Sequence, residues 1–196
     1  MTLVLLDTNA YLRLAKRIRP LLGVPFGQKG YVLTILKNVE DEVHRSVRLR
    51  ERFPWFDDPQ FQEERVAKRV RLSKEEKAQI KSMASVLRRH ALEQATNAHY
   101  KGSPPSPTDC YCLAFGQVRQ AIVATDDLGM HQLAKDFELP IFHGYDVLKK
   151  MLTARVIGRD QVVEIFRALE ANNDLPATWA AVKYTVFKKV FGPKPR

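Results

Sequence analysis

The sequence predicts an α/β fold in which a central parallel sheet is flanked by helices. Short apolar runs with the composition of buried strands alternate with segments in which apolar residues recur at helical spacing. The apolar runs are residues 3–6, 31–35, 121–124 and 139–142. Strands that alternate with helices typically form a parallel sheet covered on both faces, because the connecting helices pack against it.

The composition is that of a packed globular protein with a basic surface. The chain has 196 residues, of which 45% are hydrophobic, and a formal net charge of +10. Such a surface attracts polyanions, above all nucleic acid, although a well-solvated basic surface would have the same composition. No apolar run approaches the roughly 18 residues that a membrane-spanning helix needs. Since no secretion signal is evident either, we expect a soluble, cytoplasmic protein.

A polar cluster follows the first strand. Asp7, Thr8 and Asn9 lie between the apolar run 3–6 and a segment with helical spacing. Open α/β sheets bind their ligands at the carboxyl ends of strands, and Asp7 is therefore a candidate site residue. An acidic residue here also commonly caps the following helix, and this segment alone does not separate the two interpretations.

The second strand, residues 31–35, is followed by an acidic helix start. Val39 and Val43 recur at helical spacing, and Glu40 and Glu42 lie on the first turns. Acidic residues favour the N-terminus of a helix because of the helix dipole alone, so a purely structural role is a real alternative.

A basic and aromatic region extends over residues 44–77. Aromatic rings interleaved with arginines suit single-stranded nucleic acid, because bases stack on the rings while phosphates meet the cations. A loop anchored by buried aromatic rings beside a solvated charged face has the same composition, and we prefer this second interpretation.

The rest of the chain continues the alternation of strands and helices. Residues 73–76 have the form of a capping box, after which a helix is expected to run to about Ala98. A Ser- and Pro-rich break then precedes Asp109 at a helix start, and Asp127 follows the strand at 121–124. Cys110 and Cys112, with no other cysteine, cannot complete a structural zinc site and are expected to pack in the core.

The chain is expected to consist of an α/β domain and a helical extension. Residues 1–150 form the domain, with a long basic helical insertion at about 44–100, and residues 151–196 form the C-terminal extension. Beyond Tyr145 the expected helices are 145–153, 159–171 and 177–190.

Acidic residues recur at one edge of the predicted sheet. Asp7 and Asp127 each follow a strand, Asp109 begins a helix, and Glu40 or Glu42 begins another. In a parallel sheet the carboxyl ends of the strands and the first turns of the helices share an edge. Four carboxylates there would repel one another without a divalent cation, and hard oxygen ligands suit Mg²⁺ or Mn²⁺.

Three short motifs stand at these acidic positions. They are Leu3-Val4-Leu5-Leu6-Asp7-Thr8-Asn9, Ser106-Pro107-Thr108-Asp109 with Leu113-Ala114 on the next turn, and Val123-Ala124-Thr125-Asp126-Asp127. In their order and spacing, with an acidic helix between the first and the second, they resemble the PIN-domain ribonucleases, in particular toxin-type and related prokaryotic members. The resemblance covers about residues 1–150 and implies a PIN-like three-layer fold. The region 44–77 is longer, more aromatic and more basic than in the shorter toxins.

The resemblance implies a role for each residue of the motifs. The residues that match the family's metal-binding aspartates are Asp7, Asp109 and Asp127. Those that match its supporting positions are Thr8, Asn9, Thr125 and Asp126, the last standing where the family often has an Asn and where it would hold a metal-bound water.

Two residues compete for the position of the family's glutamate. Val39-x-x-Glu42-Val43 fits the usual apolar-x-x-Glu-apolar form, whereas Glu40 lies six residues past Thr34, the usual distance from the second strand. We favour Glu42 and keep Glu40 as the alternative.

The implied activity is metal-assisted hydrolysis of single-stranded RNA. One or two Mg²⁺ or Mn²⁺ ions would activate a water and neutralise charge on the phosphate, while the basic surface holds the RNA backbone. By the same resemblance, an antitoxin protein and a second copy of the chain, forming a homodimer, are candidate partners. The competing hypothesis is a catalytically inactive PIN-like module that only binds nucleic acid or protein, but inactive members usually lack one or more of the acids.

Overall fold

A five-stranded sheet forms the centre of the protein, which the computed structural model describes over residues 1–96 and 103–194. Its strands are β1 (Thr2–Leu6), β2 (Pro25–Phe26), β3 (Tyr31–Thr34), β4 (Ile122–Ala124) and β5 (Ile141–Phe142). Their order is β2-β3-β1-β4-β5. All neighbouring pairs run parallel except β2 and β3, which run antiparallel at one edge.

Helices connect the strands and follow the last of them. They are α1 (Thr8–Ala15), α2 (Lys37–Arg45), α3 (Val47–Arg52), α4 (Pro59–Lys68), α5 (Lys74–Ala95), α6 (Pro107–Arg119), α7 (Leu128–Asp136), α8 (Gly144–Thr153), α9 (Arg159–Ala171), α10 (Ala177–Val182) and α11 (Lys188–Phe191), with a short 3-10 helix at Pro54–Asp57. The capping box expected at Ser73 is confirmed, since its side chain and that of Glu76 satisfy each other's backbone N–H groups. Helix α5 ends at Ala95, and the expected end at Ala98 lies outside the described residues.

Both faces of the sheet are covered by helices. Side chains alternate along β1, so that Val4 and Leu6 pack in one apolar cluster and Leu5 in the other. The first cluster contains residues of α1, α2, α8 and α9, and the second contains residues of α5, α6 and α7. The predicted α/β fold class, with a central and mostly parallel sheet between helical layers, is confirmed.

The sequence pattern does not predict the edge strand β2. The segment containing β2 has the Gly- and Pro-rich composition of a loop, but Phe26 pairs with Tyr31 across a tight reversal. Gly27 and Gly30 adopt φ angles of +68° and +57° there, which residues with a Cβ rarely do.

The prediction of one continuous helix over residues 177–190 is also wrong. This segment is divided into α10 and α11, and the residues between them turn Phe187 into the core against the ring of Phe166, at a centroid distance of 5.3 Å.

The aromatic residues of region 44–77 anchor a series of short helices. Trp55, Phe56 and Phe61 are buried, so their rings are not free to stack on bases. Arg65, only 1% exposed, lies with its guanidinium 3.6 Å from the ring centroid of Phe56 and donates to the carbonyl of the same residue. The buried aromatic rings of the preferred interpretation are confirmed, but the segment that they anchor is helical, consisting of α3, the 3-10 helix and α4, and is not a loop.

The C-terminal helices pack against the α1 side of the sheet. Ile165, Phe166 and Trp179 belong to the same apolar cluster as Leu6 and Tyr11. Within the described residues, none of the helices combines the length and the apolar character needed to cross a membrane. Both cysteines are free and buried, as expected from the sequence.

Candidate metal site

Asp7 joins the central strand to the first helix. It ends β1 and caps α1, with its Oδ1 atom accepting a 2.6 Å hydrogen bond from the N–H of Ala10. It is only 6% exposed. The carboxylate of Asp7 therefore caps α1, which was one of the two roles considered for it. Whether it could also bind a ligand depends on the residues around it.

The surroundings of Asp7 are acidic. The pKa of Asp7 is raised to about 7: burial is the largest cause, the nearby carboxylates of Asp126 and Asp109 add to the rise, and hydrogen bonds from Thr125 and from the N–H of Ala10 oppose it. A buried acid beside further acids is a point of concentrated negative charge, which a cation would relieve.

Asp109 and Asp127 lie at the starts of two helices beside Asp7. Asp109 forms a capping box with Ser106, whose N–H donates to Asp109 Oδ2 at 2.8 Å. Burial raises the pKa of Asp109, the charge of Asp127 adds to the rise, and Arg88 opposes it. Asp127 caps α7 by accepting from the N–H of Met130 at 2.8 Å. Asp109 therefore lies within electrostatic range of both other aspartates.

Glu42 faces this group from α2. The hydroxyl of Thr8, the residue after Asp7, donates to Glu42 Oε2 at 2.6 Å. The buried thiol of Cys112 lies near the same three acids. Burial raises the pKa of this thiol, and the charges of Asp109, Asp7 and Glu42 each add to the rise. The fold thus assembles these acids around one region at the carboxyl edge of the sheet.

Glu40 is engaged elsewhere. Its carboxylate is held by Arg65, with an Nε–Oε1 distance of 3.3 Å, and by Arg69, with an Nη1–Oε2 distance of 2.6 Å. A carboxylate neutralised by two guanidinium groups is a poor candidate for a metal ligand, because its charge is already compensated. This arrangement supports Glu42 as the glutamate of the site.

Exchanging each glutamate for glutamine should separate the two roles. We expect Glu40→Gln to lower the free energy of unfolding by about 1–3 kcal/mol, because it leaves the buried Arg65 short of its charged partner. Glu42→Gln should cost less than about 1 kcal/mol, since Glu42 is only partly buried and holds a single hydrogen bond. Urea unfolding of both variants measures this difference. A larger loss of stability in Glu42→Gln would contradict the assignment.

The supporting positions differ in their contacts. Thr8 is buried, and Asn9 is exposed on the first turn of α1. The Thr125 hydroxyl accepts from the N–H of Asp127 at 3.1 Å and so orders the strand end. Asp126 has partners at both oxygens. Its side chain is 4% exposed.

The partners of Asp126 come from distant parts of the chain. Arg13 Nη1 donates to its Oδ2 atom at 3.0 Å, whereas the N–H of Gly144 and the indole Nε1 of Trp179 donate to its Oδ1 atom at 3.0 and 2.8 Å. Asp126 therefore links α1, α8 and α10 at the carboxyl edge of the sheet. We call this edge, with Asp7, Asp109, Asp126 and Asp127, the acidic edge.

The side chains do not form a closed ligand shell. Within the described residues, no three side chains of His, Cys, Asp or Glu lie close enough together to hold a metal ion as they stand. One oxygen each of Asp7, Asp109 and Asp127 is used in capping a helix. The chemistry of these side chains, and not their present spacing, suits a hard divalent cation, because all of them are carboxylates.

The fold also brings together residues that the sequence did not mark. The rings of His131 and His143 stack with centroids 3.7 Å apart, and Tyr145 stacks on His143 at 4.9 Å. His143 Nδ1 lies 3.8 Å from Asp126 Oδ1. The histidines have no ligand-like spacing in the sequence, and only the packing of α7 against the start of α8 places them at this edge.

Comparison with known proteins gives a distant structural resemblance and no sequence match. No protein-family model matches the sequence, and no curated protein matches it. A solved structure that resembles it is FitAcB from Neisseria gonorrhoeae, with 13% sequence identity, a TM-score of 0.45, and coverage of 72% of this chain and 98% of that chain. This degree of likeness identifies neither a family nor a function.

Proposed function

We propose that this protein is a PIN-like, metal-dependent endoribonuclease that hydrolyses single-stranded RNA in the cytoplasm. The observation that carries the proposal is the hydrogen bond of 2.6 Å between Thr8 and Glu42, which fixes an acid of α2 beside the buried Asp7. Together with Asp109 and Asp127, these residues supply the carboxylates that the sequence resemblance requires.

Each acid would contribute in a different way. Asp7 would be the buried ligand around which the others are placed, with Asp109 and Asp127 at the starts of two helices and Glu42 in the second half of α2. Mg²⁺ or Mn²⁺, when bound, would supply an activated water and positive charge beside the scissile phosphate. Asp7, Asp109, Asp127 and Glu42 are the residues that would hold the ion.

Other features of the protein suit an RNA strand. The net charge of +10 favours the phosphate backbone and predicts an affinity that falls steeply with added salt. The stacked rings of His131, His143 and Tyr145 beside Asp126 offer an aromatic surface for an unpaired base. The aromatic surface favours a single strand over a duplex, whose bases are already stacked.

A cleavage assay with an end-labelled RNA of about 20 nucleotides tests the proposal. We expect cleavage in Mg²⁺ or Mn²⁺ and none in EDTA, with products that lack a 2′,3′-cyclic phosphate, because the attacking group is a water and not the RNA 2′-hydroxyl. The product ends separate this activity from that of contaminating nucleases that use the 2′-hydroxyl. Metal-independent cleavage, or cyclic-phosphate ends, would count against it.

One observation favours the alternative, a PIN-like module that binds nucleic acid or protein without cleaving. It is that no three potential ligands are close enough to hold a metal ion among the described residues. Binding of the same RNA with no metal-dependent products, at any divalent ion tested, would favour this alternative.

We extend the proposal to a toxin of a toxin–antitoxin pair, on the resemblance of the sequence alone. An adjacent gene for a small DNA-binding protein that co-purifies with this chain and inhibits its cleavage of RNA would support the extension. The homodimer stays a prediction, and sedimentation of the purified chain measures it directly.

A further inference from the structure

A second feature able to bind a ligand lies in the C-terminal helices. A cavity of about 850 Å³ opens between the end of α8, the turn into α9 and the segment that leads into α11. This volume is in the range of pockets that hold small organic ligands. Helix α8 separates it from the acidic edge: the N–H of Gly144 at the start of α8 binds Asp126, and ten residues span about 15 Å.

The rim of this cavity is strongly positive. Five cationic side chains line it, and no carboxylate does. They are Lys149, Arg155, Arg159, Lys188 and Lys189. None of the five forms an ion pair with a carboxylate in the part of the chain that the structure describes. Like charges gathered without counter-charges repel one another, and a bound anion would relieve this repulsion.

The floor and one wall complete the site. The buried residues Phe187 and Ile157 line the cavity, and the partly exposed Leu152 and Val190 add apolar surface. Helix α9 begins at the cavity with Gly158 as its N-cap, which supplies no side-chain hydrogen bond, so the first backbone N–H groups are available to an acceptor. The helix dipole favours negative charge at the same point.

We propose that this cavity binds a phosphate-bearing ligand of nucleotide size. The phosphates lie among the five cations and the start of α9, and the base and sugar lie against the apolar floor. The same chemistry is offered by a free nucleotide and by one unit of an RNA strand. This site is separate from the acidic edge, and its existence does not depend on cleavage there.

Gly158 permits a test that changes charge and little else. A Cβ added to it would meet no atom within 4 Å, and its φ of −90° suits any residue. Asp and Asn are nearly equal in size and are both good N-caps, so Gly158→Asp and Gly158→Asn should fold equally well and differ by one negative charge.

The experiment measures binding of ATP and of a ten-nucleotide single-stranded RNA to the full chain in EDTA, where no cleavage is expected. We expect Gly158→Asp to weaken binding of at least one probe by roughly tenfold, because its carboxylate faces the phosphates, and Gly158→Asn to bind as the wild type does. An effect on ATP identifies free nucleotides as ligands, and an effect on the RNA alone identifies a strand. Equal binding by both variants, whether retained or lost, would overturn the proposal and leave the proposed nuclease activity untouched.

Discussion

Replacing Asp7 with Asn is expected to reduce metal-dependent RNA cleavage by roughly a thousandfold, a loss typical of removing a central electrostatic group from an active site. Asn keeps the size of the side chain and one oxygen that can cap α1, but it removes the charge that would hold the ion. Initial rates for the two proteins in saturating Mg²⁺ measure the effect. Wild-type rates from the variant would show that the site is wrongly placed.

The same substitution should make the metal-free protein more stable at pH 8. The pKa of Asp7 is raised from 3.8 to about 7 by folding, so the folded protein holds a proton there that the unfolded chain releases between these values. Stability from this group is therefore fully present below pH 4 and is lost as the pH rises to about 7, with a total of at most about 4 kcal/mol. The Asp7→Asn variant has no carboxyl group to ionise at this position, so it does not lose this stability as the pH rises.

Urea unfolding in EDTA at pH 4 and pH 8 measures the difference between wild type and Asp7→Asn. The difference, and not either curve alone, is informative, because the pKa of Asp109 is also raised and titrates in both proteins. We expect the variant to gain stability relative to wild type as the pH rises, and Mg²⁺ to restore the wild type at pH 8. A difference that is independent of pH would contradict the charge assigned to Asp7.

Trp179→Ala is expected to lower the free energy of unfolding by about 3–5 kcal/mol. Trp179 is completely buried, and its ring packs on Phe166 at a centroid distance of 5.5 Å. Its indole also donates to Asp126 at 2.8 Å. The substitution therefore opens a cavity in the core and removes a hydrogen bond from the acidic edge.

Trp179→Phe separates these two losses. Phe fills most of the space but cannot donate to Asp126, so we expect a cost of about 1–2 kcal/mol and cleavage that is slower than that of wild type under conditions where both are folded. Thermal unfolding and cleavage rates together measure this. Unchanged cleavage by Trp179→Phe would show that Asp126 is positioned without the indole.

Local patterns were sufficient to predict the parallel strands and most helices. Strand β1 is an apolar run because both faces of the sheet are covered, and the helix starts at Ser73 and Ser106 are marked by residues within three positions of each cap. The positions of the three aspartates at helix starts could likewise be predicted, since each of them lies just after a strand or on the first turn of a helix.

The remaining parts of the site depend on contacts between distant residues. Glu42 and Glu40 are nearly equivalent in the sequence, and their difference arises from Thr8, 34 residues before Glu42, and Arg65, 25 residues after Glu40. The contact of Trp179 with Asp126 spans 53 residues. Periodicity carries no information about such pairs, because it reports the face on which a residue lies and not its partner there.

The shared contacts of Asp126 have a consequence for the protein during its synthesis. Chains are made from the N-terminus at roughly 5–20 residues per second, and early segments begin to fold while later ones are still absent. Arg13 and Asp126 are made before Gly144 and Trp179, which donate the remaining hydrogen bonds to Asp126, and Trp179 is the last of the four. The acidic edge therefore gains its final support only when α10 has emerged. A newly made chain should thus acquire any RNA-cleaving activity only after residues 177–182 have been made and have packed against Asp126.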